Sequence, residues 1–158
     1  MSDHWNDVAM ILDPIYYILK DCDPDGIEFY WTIGGSSQSP RFSSTKEMRV
    51  AVKNKTPSGR TDISVRLDAV LAAYRQKLHS HNSHRRERPM NVYIFTDGIW
   101  ADGGDAEGPV KRMVNVLKRF KLQRSQVGIQ FISFGDNAEA LKRLEQLDLL
   151  GKDPDIGL

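Results

Sequence analysis

The stretch NVYIFTDGIWADGGD, residues 91–105, decides the fold that the sequence predicts. It begins with β-forming residues at 92–95 and changes at Thr96 into a polar, glycine-rich segment. β-branched and aromatic residues favour strands, so the pattern predicts a buried strand that ends in a turn. The strand delivers a carboxylate, Asp97, to its end. The function of the chain depends on what this carboxylate does there.

Strand and helix patterns alternate on both sides of this stretch. Strands are predicted at 27–33 and 127–135, with a short edge strand at 41–43, and helices at about 4–20, 44–54, 63–78, 109–120 and 137–150. In the first helix, the apolar residues at helical spacing include Val8, Ile11, Leu12 and Ile18. Such alternation predicts an α/β fold, Rossmann-like, with an open, mostly parallel sheet and helices on both faces. Ligands bind such sheets at the carboxyl ends of the strands.

Composition excludes several classes of protein. The chain has 158 residues, of which 40% are hydrophobic and 27% charged, and this predicts a single globular domain over 1–158. A formal net charge of +1 gives no overall field that would attract nucleic acid or an acidic membrane. The single cysteine, Cys22, cannot form an internal disulfide, and no signal peptide or membrane span is evident. We therefore expect an intracellular, cytoplasmic protein.

Two polar residues are candidates for a metal site. Asp97 ends a strand at the edge of the sheet where ligands bind, although an Asp-Gly pair is also common turn chemistry. Thr61 follows Pro57 and Gly59 at the mouth of a helix. Its hydroxyl can either cap that helix or face a metal ion. The residues alone leave both alternatives open at each position.

Four segments together carry a resemblance to a known family. They are VYIFTDG (92–98), PSGRTDI (57–63), IEFYWTIGGSS (27–37) and VGIQFISFGDNAEALKRLEQL (127–147). Their order and spacing resemble the von Willebrand factor type A domain family, in the intracellular form found in fungal proteins, over essentially the whole chain. The resemblance implies a non-enzymatic protein-interaction module with a metal-ion-dependent adhesion site. In that family the metal loops supply an Asp-x-Ser-x-Ser run, a Thr and an Asp that ends the fourth strand.

The resemblance also implies roles for individual residues. Thr61 would be the direct hydroxyl ligand of Mg²⁺ or Mn²⁺, and Asp97 would hold the ion through water. A hard divalent ion prefers oxygen ligands and keeps several waters, so a site with few carboxylates remains electrophilic. Such an ion accepts an acidic residue from a partner protein.

The sequence departs from the family pattern in one decisive place. It contains no Asp-x-Ser-x-Ser run, and the nearest approach, Asp62-Ile63-Ser64-Val65-Arg66, lacks the last serine and falls in a helix. We expect a fold that lacks the family's first, central strand and is clipped near 155–156, with weak or absent metal binding. The alternative is a metal-free remnant without binding activity. Without that strand, the strands at 27–33 and 91–96 would pair directly or take a strand from another copy, so that the chain self-associates through strand edges.

Other features of the sequence carry less weight. Trp100, beside Asp97, either contacts a partner or packs on a neighbouring loop, and Asp102 is a second candidate for partner binding. His79, His81 and His84 indicate a solvated basic loop rather than a metal site.

Three enzyme classes are excluded by missing residues. A dehalogenase-type phosphatase needs an Asp where Ile99 stands. A dinucleotide-binding enzyme needs Gly-x-Gly-x-x-Gly after a strand, and a serine hydrolase needs Gly-x-Ser-x-Gly; neither motif occurs at a suitable place. We therefore do not expect an enzyme.

Overall fold

The computed structural model describes residues 1–23, 26–32, 40–59, 62–80, 87–100 and 104–150. Over these ranges the chain is an α/β protein with five α-helices and two two-stranded sheets. It divides into two compact units, Met1–Arg60 and Thr61–Leu158, and each is described by itself. The α/β class predicted from the alternation is confirmed. The single domain over 1–158 stays a prediction.

The first unit is built on two helices and a short hairpin-like sheet. Its elements are α1 (Trp5–Leu19), β1 (Ile27–Glu28), β2 (Arg41–Phe42) and α2 (Thr45–Lys53). Its buried apolar side chains come from the two helices: Val8, Leu12, Tyr16, Met48 and Val52. The hydroxyl of Tyr16 donates to the Phe42 carbonyl at 2.7 Å, which joins α1 to β2.

The helix α2 starts where the sequence predicts it. The Ser44 hydroxyl accepts a hydrogen bond from the Glu47 backbone N–H, and the Glu47 carboxylate accepts from the Ser43 N–H. The first bond satisfies a backbone donor that the first turn of a helix leaves unpaired, and the second satisfies a donor just before the helix. Ser44 is therefore the N-cap of α2.

The predicted buried strand at 27–33 is wrong over its described part. Only Ile27–Glu28 form a strand, and they pair antiparallel with Arg41–Phe42. Half-buried aromatic residues at Phe29 and Trp31 alternate with exposed residues at 28, 30 and 32. This alternation belongs to a strand covered on one face, whereas a central parallel strand is apolar on both. Direct pairing of 27–33 with 91–96, or pairing with a strand of another copy, stays a prediction.

The second unit contains a parallel strand pair with a helical crossover. Its elements are α3 (Ile63–His79), β3 (Met90–Thr96), α4 (Glu107–Phe120), β4 (Val127–Ser133) and α5 (Ala138–Leu150). β3 and β4 pair in register from Met90 opposite Val127 to Thr96 opposite Ser133. The core consists of α3, α4 and the β3–α4 loop, with buried Ile63, Leu67, Leu71, Tyr74, Leu78, Trp100, Ala106, Met113 and Leu117. These elements lie close to their predicted bounds.

No helix in the described ranges could span a membrane. None of them combines the length and the apolar composition that crossing a bilayer requires.

Candidate functional site

Asp97 lies directly after β3, at the carboxyl end of the parallel pair. The last paired residues are Thr96 and Ser133, so the ends of β3 and β4 are level. The Asp97 side chain is half-buried, and its Oδ1 accepts a hydrogen bond from the Ile99 N–H at 3.1 Å. This contact is the Asx-type turn bond that an Asp-Gly pair favours. Asp97 therefore shapes the turn as well as occupying the edge where α/β sheets bind ligands.

Thr96 ties this turn together from inside. Its side chain is buried, and its Oγ1 accepts from the Gly98 N–H at 2.9 Å and from the Trp100 indole N–H at 3.0 Å. Its backbone carbonyl accepts from the Phe134 N–H at 2.9 Å. A buried donor without a hydrogen-bond partner costs free energy, so the Thr96 hydroxyl stabilises this conformation of the turn.

Helix α5 lies against the same turn. Gly98 has φ +70°, and a Cβ built on it would lie 2.6 Å from the Ala140 Cβ. The Arg143 Nη1 donates to the Gly98 carbonyl at 2.8 Å. The turn thus needs glycine for its conformation and also for the approach of α5.

The structure places Trp100 inside its own unit. The residue is 8% exposed, and its ring lies 6.2 Å from that of Phe131, centroid to centroid. The Arg143 guanidinium lies 5.2 Å from the centroid of the indole ring, within the range of a cation–π contact. Trp100 thus packs on neighbouring residues of its unit, and its contact with a partner stays a prediction.

Two other candidates, Thr61 and Asp102, lie outside the described residues. The cap of α3 is nevertheless clear, because the Asp62 carboxylate accepts from the Ser64 and Val65 N–H groups. The hydrogen bond from the Ser64 hydroxyl, followed by that from the Val65 N–H, lowers the pKa of Asp62 below its ordinary value. Residues 62–66 therefore form the start of a helix, as predicted, and not a metal loop.

Further acidic and histidine side chains of this unit have structural contacts. The Asp105 carboxylate accepts from the Glu107 and Gly108 N–H groups and so caps α4. His79 makes an edge-on ring contact with Phe120. In the part of the chain that the structure describes, no three His, Cys, Asp or Glu side chains cluster as metal ligands. The predicted site uses a hydroxyl and one carboxylate, so this finding does not bear on it.

The sequence did not identify Thr96 and Arg143 as parts of the site. Thr96 was taken only as the end of the strand. Arg143 contacts a carbonyl 45 residues earlier in the chain, and its helix has several other exposed charged residues. A local pattern carries no signal for such a long-range contact.

Comparisons with protein-family models, curated proteins and solved structures found no match to this chain.

Proposed function

We propose that the chain is a non-enzymatic protein-interaction module of the von Willebrand A type, which contacts its partner at the turn after β3. The observation that carries this proposal is the position of Asp97 at the carboxyl end of a parallel strand pair. Ligands of open α/β sheets bind at that end. The finer architecture, a mostly parallel Rossmann-like sheet with helices on both faces, belongs to the proposal too.

The bracing of the turn supports a binding role. The Thr96 hydroxyl holds two N–H groups of the turn, and Arg143 holds its carbonyl at Gly98. Such a turn loses little conformational entropy when a partner binds, which favours affinity. Ile99 is 59% exposed beside it, and Leu141, which follows the contact residue Ala140, is 45% exposed. These two side chains offer the apolar contacts that interfaces combine with polar ones.

The proposed metal is Mg²⁺ or Mn²⁺, with Thr61 as direct ligand and Asp97 as water-mediated ligand. The partner supplies an acidic residue to the ion. Mg²⁺ requires about six well-placed oxygens, and two protein ligands supply a minority of them. Binding by this chain alone is therefore weak, and the partner's carboxylate adds affinity.

A calorimetric titration with Mg²⁺ and with Mn²⁺ tests the proposal. We expect weak, saturable binding with a dissociation constant in the millimolar range, lost in Asp97→Asn and in Thr61→Val. The amide of Asp97→Asn keeps an oxygen that accepts the Ile99 N–H, so the turn survives while the charge is removed. Asp136→Asn, an exposed position after β4, is the matched control and retains binding.

Two results would contradict this account. Micromolar affinity that is lost in Asp97→Ala would mean that another group, such as Asp102 or Asp105, replaces the missing serines. If no heat of binding is measured, even at raised protein concentration, the alternative function is favoured. In that case the chain is a metal-free remnant without independent binding.

A further inference from the structure

Basic side chains gather at one end of the second unit, where β3 and β4 begin and α3 and α4 finish. The centroid of the His79 ring at the end of α3 lies 4.9 Å from that of the Phe120 ring at the end of α4. The Gln126 amide, just before β4, donates to the Glu87 carbonyl just before β3 at 3.0 Å. Six exposed cations on these segments are here called the basic end: Lys77, Arg88, Lys118, Arg119, Lys121 and Arg124.

Few carboxylates offset these cations. Within 74–91 and 113–130 the sequence has one acidic residue, Glu87. Helix α5 starts beside Gly98 at the other end of the strands and runs back toward the basic end, where it brings Glu145 and Asp148. Even with these three carboxylates counted, the described residues of the basic end have a positive net charge.

The opposite end of the unit is acidic, which conceals the basic end in the overall charge of +1. Carboxylates lie there at Asp62, Asp97, Asp105, Glu107, Asp136 and Glu139. The seven residues of β3 separate the two ends by about 20 Å. This is more than twice the screening length of about 8 Å at physiological ionic strength. The acidic end therefore does not cancel the field of the basic end.

Helix polarity accounts for only part of the basic end. Four of its cations lie in or directly after the last turns of α3 and α4, where they offset the partial negative charge of the helix carbonyls. Two helix ends carry about one negative elementary charge in total, so four cations overcompensate it. Arg88 and Arg124 lie outside the α-helices, next to the starts of the two strands. The surplus of positive charge thus exceeds what the helices require.

The side chains that anchor protein or lipid partners are missing here. No large hydrophobic side chain is exposed in the described parts of 74–91 and 113–130. Protein interfaces are enriched in aromatic anchors and depleted in Lys, and membrane-surface segments insert apolar side chains. The exposed neutral side chains of the basic end include amides and hydroxyls at Gln76, Ser80, Gln123 and Ser125. Interfaces with nucleic acids have this polar, strongly positive composition, and such groups bind phosphate oxygens.

The aromatic residues of the basic end decide between single-stranded and double-stranded partners. Proteins that hold single strands stack the bases on accessible aromatic rings. The described Phe and Tyr residues of this end are buried or half-buried, as at Tyr74, Tyr93 and Phe120. We propose that the basic end binds a double-stranded nucleic acid through its phosphate groups, without reading the base sequence. This contact lies at the other end of the unit from the proposed metal-dependent contact and goes beyond it.

The number of cations sets the strength and the salt dependence of this binding. Each phosphate that a protein neutralises contributes about −0.9 to the slope of log affinity against log salt concentration. Four to six such contacts give a slope of about −4 to −5 and a dissociation constant of about 1 to 100 µM, typical of binding without sequence preference.

Fluorescence anisotropy of the full chain with labelled DNA and RNA duplexes of about 20 base pairs tests the proposal. EDTA in the buffer removes divalent ions, so that the proposed metal contact takes no part. We expect saturable binding at about 50 mM salt that weakens steeply toward about 200 mM.

Removal of three cations locates the binding surface. The triple variant Arg119→Gln, Lys121→Gln and Arg124→Gln should bind a duplex at least about tenfold more weakly, with a salt slope that is less steep by about 3. The triple variant Arg119→Lys, Lys121→Arg and Arg124→Lys keeps the charges and should keep the affinity. This second variant distinguishes loss of charge from loss of the native side-chain packing.

A matched control removes three exposed cations elsewhere. The variant Lys46→Gln, Lys53→Gln and Lys142→Gln lowers the net charge by the same amount and should keep the affinity within about twofold. Equal losses in this control and in the basic-end variant would overturn the proposal, as would the absence of duplex binding at about 50 mM salt. Tighter binding of the single strand than of the duplex would overturn the choice of partner. Binding of phosphatidylserine vesicles without binding of duplexes would assign the basic end to a membrane surface and would overturn it too.

Discussion

At the scale of single residues, Thr96 has a larger role than its neighbour Asp97 in holding the turn after β3. Its hydroxyl is the acceptor for a buried backbone N–H and for a buried indole N–H. Both donors lie where water does not replace a lost partner. The candidate ligand Asp97 therefore depends on Thr96 for its position.

We expect Thr96→Val to destabilise the second unit. The substitution keeps the shape of the side chain but leaves two buried donors unpaired, at a cost of about 1–3 kcal/mol for each. Thr96→Ser retains the hydroxyl and should lose only the contacts of one methyl group. Urea unfolding followed by tryptophan fluorescence measures both variants. Equal stability of Thr96→Val and wild type would show that the hydroxyl bonds contribute nothing.

The glycine two residues later allows a sharper comparison. Gly98→Ala adds a Cβ at 2.6 Å from the Ala140 Cβ and at φ +70°, so it should destabilise by about 2–4 kcal/mol through strain and overpacking. Gly135→Ala has a similar φ of +86° at an exposed position and should cost only the conformational part, about 1 kcal/mol. The difference between the two unfolding free energies isolates the contact with α5. If the two variants lose the same stability, α5 does not pack against this turn.

At the scale of elements, the second unit is held together by contacts that join helix and strand ends. Tyr74 near the end of α3 donates to the Arg88 carbonyl just before β3 and accepts from the Gln126 amide just before β4, both at 2.6 Å. Gln126 also donates to the Glu87 carbonyl at 3.0 Å. One phenol group thus links α3 to the amino-terminal ends of both parallel strands.

The same phenol predicts how stability depends on alkaline pH. Burial raises the pKa of Tyr74, the Gln126 hydrogen bond opposes this shift, and the Glu87 charge adds to it. The folded state therefore holds the proton more tightly than the unfolded state. The contribution of Tyr74 to the free energy of unfolding is fully present below about pH 10, the pKa of an unfolded tyrosine. It is lost as the pH rises through the raised pKa of the folded state.

Unfolding free energies measured from about pH 8 to about pH 11 check this expectation. Wild type should lose stability over the upper part of that range, and Tyr74→Phe should lose less. Burial also raises the pKa of Tyr16 in the first unit, so Tyr16→Phe should reduce the slope for the transition of that unit. A Tyr74→Phe curve parallel to that of wild type would be incompatible with this role of the phenol.

The sequence predicts helices and strands better than it predicts which of them pack or pair with each other. Apolar residues at helical spacing identified α3, and a continuous run of β-forming residues identified β3. Helical spacing could not decide which apolar residues of α1 are buried, because those on both of its faces follow the helical period. The segment 27–33 was predicted to be a largely buried strand on its β-branched and aromatic content, although its alternation with exposed residues at 28 and 30 favours a one-sided strand. Contacts such as Arg143 with Gly98 join distant residues, so neither residue type nor local period indicates them.

At the scale of the whole molecule, the two compact units have separate sets of buried side chains. The cluster of nine buried residues in the second unit runs from Ile63 to Leu117, with Leu144 and Leu147 of α5 packed against it. The buried apolar residues of the first unit come from α1 and α2. A chain of about 60 residues buries only about 60% of the surface that it exposes when unfolded, so the first unit has less to stabilise it.

We therefore expect a fragment of residues 61–158 to fold alone and a fragment of residues 1–60 to be marginal. In urea, the 61–158 fragment should unfold cooperatively, because its helices and parallel strands share one core. The 1–60 fragment should show a broad transition or none at 25 °C. Circular dichroism at 222 nm measures both fragments against the full chain. If the 61–158 fragment shows no cooperative transition, its core needs residues 1–60, and the chain is one folding domain, as its length and composition predict.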